Sequence, residues 1–144
     1  MNGSDLTLAY GFGATIDMPY DAAVKRVRDA LAAEGFGVLT EIDVAATLKK
    51  KLDLEFRPYI ILGACNPPLA HQALSSELEI GLLLPCNVVV HAADEEGRSV
   101  VSIMDPEAAL SLAGNQAIAP VAADVKARLQ RVLENVRALT PKHG

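Results

Sequence analysis

The chain has 144 residues, a formal net charge of −5, 51% apolar residues and only 4% aromatics. That length fits one domain, read here as 1–144, able to bury well over half of the surface its unfolded chain exposes. Nucleic acid is not an expected partner. Phosphate contacts demand a basic face, yet the basic residues are scattered apart from Lys49-Lys50-Lys51, which reads as the wet side of a short helix. The few aromatics also argue against a base-stacking platform. A membrane partner is not expected either. A span needs about 20 apolar residues, and the longest apolar stretch, Gly81 to Val90, is broken by Pro85 and Asn87. Met1 to Asp5 carries no basic or apolar leader signature, so a cytoplasmic protein is the expectation. There the two cysteines are expected as thiols.

In chain order, the first strand is expected over Leu6 to Ile16, with Gly11 and Gly13 marking a bulge or a close backbone approach. Asp17 and Pro19 open a helix whose Val24, Val27 and Leu31 share one face, and Gly35 ends it. The second strand is Phe36 to Asp43. Asp43 then caps a short helix through Leu52, with Val44, Leu48 and Leu52 on one side. The third strand, about Arg57 to Ala64, contains Tyr-Ile-Ile-Leu, apolar on both faces as in a central strand.

Asn66-Pro67-Pro68 is a helix start leading into Leu69 to Ser75, with Asn at the N-cap and Pro at the first helical position. A fourth strand is expected over Leu82 to Ala92, disturbed by Pro85. A turn at Asp94 to Gly97 and a fifth strand from Arg98 to Met104 follow. Asp105-Pro106-Glu107 opens a short helix ending at Gly114 or Asn115. A last helix runs from about Pro120 to Leu139, with Val125, Leu129, Val132 and Val136 as its core stripe.

The order is β-α-β-α-β-α-β-β-α. It predicts an α+β fold with a mixed or antiparallel sheet of about five strands, covered by helices on one face. A doubly wound parallel sheet is the alternative.

The most distinctive chemistry lies in two Cys-Asn pairs, Cys65-Asn66 and Cys86-Asn87. Cys65 stands at a strand end just before a helix N-cap. Free amide donors and partial positive charge at such a terminus favour a thiolate or a bound anion. Gly63 would allow another group close to the backbone. If the fourth strand pairs beside the third, both Cys-Asn pairs sit at one end of the sheet. A buried Asn87 would need hydrogen-bond partners, as a brace or as part of a site. Set against this, free cysteine is among the most buried residue types, and Asn66 serves first as a cap.

The histidines add little. His71 lies in the helix after Cys65, His91 faces away from Cys86, and His143 is in the C-terminal tail. The cysteines match no zinc or thioredoxin spacing, so no metal or other cofactor is expected. No phosphate loop or nucleophile elbow is present.

Three segments carry a family resemblance: Gly35-Phe36-Gly37-Val38, Leu62-Gly63-Ala64-Cys65-Asn66-Pro67 and Gly81-Leu82-Leu83-Leu84-Pro85-Cys86-Asn87-Val88. They resemble the domain of unknown function 302 family of small prokaryotic proteins, most closely over about 35–106. The resemblance implies a compact α+β fold somewhat like half of a TATA-box-binding protein, and a homodimer. It implies no established activity, and its motif residues fall on Cys65, Asn66, Cys86 and Asn87.

Three functions compete on these residues. The first is thiol-dependent sulfur or redox handling through Cys65, with Cys86 as partner. The second is a module binding a small molecule, anion or metal, in which Gly63, Asn66 and Asn87 line the site. The third is a structural or interaction protein without catalysis.

Overall fold

The computed structural model describes residues 5–138. A single six-stranded sheet, every pairing antiparallel, organises the chain. The strands are β1 (Asp5–Leu8), β2 (Gly11–Ile16), β3 (Gly37–Asp43), β4 (Tyr59–Cys65), β5 (Cys86–Ala92) and β6 (Ser99–Met104), in spatial order β1-β2-β6-β5-β4-β3. The helices are α1 (Tyr20–Ala33), α2 (Val44–Leu52), α3 (Pro67–Ser76), α4 (Pro106–Leu110) and α5 (Ala119–Ala138). The fold is therefore α+β, and the parallel alternative is excluded.

The expected first strand is in fact a hairpin, β1 and β2, turning at Ala9-Tyr10. That turn supplies the sixth strand. Close backbone approach at the two glycines is borne out. A Cβ on Gly13 would collide with the Val101 carbonyl oxygen and stand 2.8 Å from Ser102 Cα, because β6 backbone fills that space. The fourth expected strand starts late, at Cys86. Leu78–Leu83 forms a 3-10 turn instead, and Pro85, lacking an N–H for the ladder, marks the true strand start.

Strand alternation sorts the residues. Ala14, Ile16, Leu62, Ala64, Cys86, Val88, Val90, Val101 and Ile103 face the helices and are buried. Helices α1 and α5 pack on each other and on this face. The expected α5 stripe is there: Val125, Leu129, Val132 and Val136 are all buried. Ser99 is fully buried and satisfied, its hydroxyl donating to the Met18 carbonyl at 2.8 Å. Gly35, with φ of +85°, ends α1 in a conformation that favours glycine.

The opposite face carries Gly11, Gly13, Ile61, Gly63, Asn87, Val89, His91, Ser102 and Met104, and α1 and α5 leave it uncovered. The final residue of the expected last helix, Leu139, and His143 lie outside the described residues.

Candidate functional site: an apolar cavity beside two thiols

The Cys-Asn junctions are adjacent in space. β4 and β5 pair antiparallel, so the end of one meets the start of the other, and Cys86 stands opposite Ala64, next to Cys65. Cys65, Asn66 and Cys86 share the wall of one cavity of about 310 Å³. Leu69, Ala70, Ala73 and Leu74 of α3 form one side and Val121 and Val125 of α5 another. Leu84 and Pro85 close it from the strap before β5, and Phe36, Leu39 and Thr40 from around β3. The sequence reading missed these walls. The available signal was Ala70 and Ala73 on α3, short side chains where leucines would fill the space.

Asn66 is the N-cap of α3, as expected. Its Oδ1 accepts from Leu69 N at 3.4 Å, and its carbonyl accepts from Ala70 N at 2.8 Å. This geometry leaves the turn few donors for an anion or a thiolate. A helix N-terminus offers four free N–H groups. Here they are those of residues 66–69: Pro67 and Pro68 have none and Leu69 N donates to Asn66 Oδ1, which leaves at most the Asn66 N–H.

The thiols respond to burial instead. Burial pushes the half-buried Cys65 thiol above its ordinary value. Burial, and after it the charge Cys65 would carry, pushes Cys86 up to about 11. Both shifts favour the neutral thiol near pH 7, so burial gives no support to the activated thiolate expected at Cys65. They are not joined in a disulfide.

This has a consequence at alkaline pH. An unfolded cysteine ionises near 9.0, whereas Cys86 holds its proton to about 11 in the fold. The raised value means that the contribution is full below the unfolded pKa and lost as pH rises through the folded one. On the order of 2–3 kcal/mol should drain away across that window. Urea melts from about pH 8 to about pH 11 should show a shallower loss for Cys86→Ala than for the parent. Identical slopes would contradict the assignment.

Gly63 and Asn87 lie elsewhere. They pair with each other on the uncovered face. A Cβ on Gly63 would collide with Thr40 Oγ1 and stand 2.8 Å from Pro85 Cγ, so the close approach expected there is made by the protein itself. Asn87 is exposed rather than buried and lines a separate groove. His71 is exposed on α3, 3.5 Å from Ser75 Oγ, and is not in the cavity wall. His91 stacks on Tyr59 on the far face, ring centroids 5.2 Å apart. Among the described residues no group of three or more His, Cys, Asp or Glu is placed to hold a metal. No described helix is long and apolar enough to cross a membrane.

A one-sided antiparallel α+β sheet with an apolar cavity at its end defines the class of protein. The family model described as "Domain of unknown function DUF302" matches residues 12–136, and the chain belongs to that family. A solved structure described as an uncharacterized conserved protein DUF302 from Bacillus stearothermophilus is similar, with a TM-score of 0.81 and 29% sequence identity. The match covers 89% of this chain and 98% of that one. No curated protein gives a significant match.

Proposed function

We propose that the protein is a binding module for a small, uncharged, largely apolar molecule held in the cavity beside Cys65 and Cys86. The carrying observation is the cavity: about 310 Å³, walled by apolar side chains, with Asn66, Thr40 and two thiols as its polar groups. Small-molecule sites combine an apolar pocket with a few placed polar groups in this way. Asn66 Oδ1 is engaged by Leu69 N, which leaves Nδ2 to donate to a carbonyl-type acceptor on the ligand. The neutral thiols act as soft, polarisable wall groups rather than nucleophiles. Free thiols fit a reducing compartment such as the cytoplasm. The reading requires no catalysis, metal or cofactor.

The neutral fluorophore N-phenyl-1-naphthylamine tests it. Fluorescence should rise saturably with one site per chain. Ala70→Phe, which fills the cavity from its half-buried wall, should weaken binding about tenfold or more while the chain stays folded. No saturable rise with the parent, or equal affinity in the variant, counts against the reading.

A homodimer belongs to the same proposal. Helix α2 buries none of its residues, and Leu39, Ile42, Leu52, Leu54 and Phe56 are 49–67% exposed along β3, α2 and the segment after it. Apolar surface gathered this way marks an interface. Sedimentation equilibrium should show a dimer that Ile42→Lys with Phe56→Glu converts to monomer. A monomeric parent at micromolar concentration would overturn this part.

A further inference from the structure

We propose that the groove at the foot of the uncovered sheet face is a second ligand site. It takes a small neutral molecule with a flat apolar body and a carboxamide-like edge. The groove encloses about 490 Å³ and does not share a lining residue with the thiol cavity. Its floor follows from the register. Met104 pairs with Gly11, and Ser102 pairs with Val89 on one side and Gly13 on the other, all on one face. At Gly11, which lines the groove, and at Gly13 beside it, the β6 backbone occupies the place a Cβ would take, so the floor over β2 is bare backbone. Asn87, next but one to Val89 on β5, points to the same side.

Three polar side chains meet the groove: the Asn87 amide, the Ser102 hydroxyl and the Tyr10 phenol. None of them hydrogen-bonds to another described residue. An amide presents a donor and an acceptor side by side, which matches the edge of a carboxamide or lactam. Among the described residues no charged side chain lines the groove, so an ionic ligand would lose hydration with no described charge to replace it. Val89, Met104 and Leu112 supply the apolar contact. Tyr10 and Leu112, 68% and 78% exposed, stand free at the rim to lie against a bound molecule.

Benzamide is the test probe, with toluene and benzoate alongside, in an amide-resolved NMR titration of the whole chain. Benzamide should saturably shift the amides of Gly11, Val89, Ser102 and Met104, more strongly than either comparison probe. Asn87→Leu should weaken that binding about tenfold and, because Asn87 is exposed, leave the thermal midpoint nearly unchanged. Absent shifts at these amides, equal response to toluene or benzoate, or undiminished binding in Asn87→Leu would each overturn the site. So would shifts of the same amides that follow protein concentration instead of benzamide, because a second copy of the chain would then cover the groove.

Discussion

Gly13→Val should unfold the protein or destabilise it by on the order of 4 kcal/mol or more, against a typical total of about 5–15 kcal/mol. The new side chain would enter space held by the Val101 carbonyl and by Ser102 Cα. Both belong to β6, which is paired on its other side with β5 and carries the buried Val101 and Ile103. Backbone so placed cannot step aside without opening the centre of the sheet. Circular dichroism of the purified variant checks this. A native spectrum with an unchanged urea midpoint would show that β6 yields easily.

Gly63→Ala should cost on the order of 3 kcal/mol, and the loss should be partly recovered by a second change. The added methyl would meet Thr40 Oγ1 first and Pro85 Cγ second. Thr40→Ala removes the first obstacle, so the double variant should regain about 1–2 kcal/mol over the sum of the single changes. Pro85 stays, so recovery is incomplete. Strict additivity in urea unfolding would mean that Gly63 is required for something other than this contact. The experiment bears on function, because Gly63 was a candidate ligand-binding residue. Its nearest neighbours identify it as the place where β3 and the Pro85 strap close over β4.

Local signals were legible in the sequence. The Asn66 cap, the Asp43 cap with its side chain accepting from Ala46 N at 2.9 Å, and the α5 stripe all formed as read. So did the opposed faces of Cys86 and His91, because alternation along a strand needs no tertiary information. The β1–β2 hairpin was not legible: Ala9-Tyr10 carries none of the usual turn residues at its centre. Sheet order was open as well, since pairings between distant segments leave little local trace.

The site divided along the same line. Adjacency of Cys65 and Cys86 followed once β4 and β5 were paired. Their chemistry did not, because burial sets it and burial is a tertiary property. One part of that outcome was nonetheless written in the chain. Pro67 and Pro68 delete the first two amide donors of α3, so the turn after Cys65 never had a full anion site to offer. Asn87 likewise had to face away from its neighbour Cys86 by strand alternation, and it lines the other groove.

Cys65 offers the most direct check on the cavity as a binding site, because it lines the wall and is partly exposed. Its alkylation by iodoacetamide can be followed by mass spectrometry of the intact, folded chain. With N-phenyl-1-naphthylamine at saturation, modification of Cys65 should slow about tenfold, since a bound molecule occupies the approach to the sulfur. An unchanged rate under conditions where the fluorophore is bound would place the ligand elsewhere and contradict the proposed function.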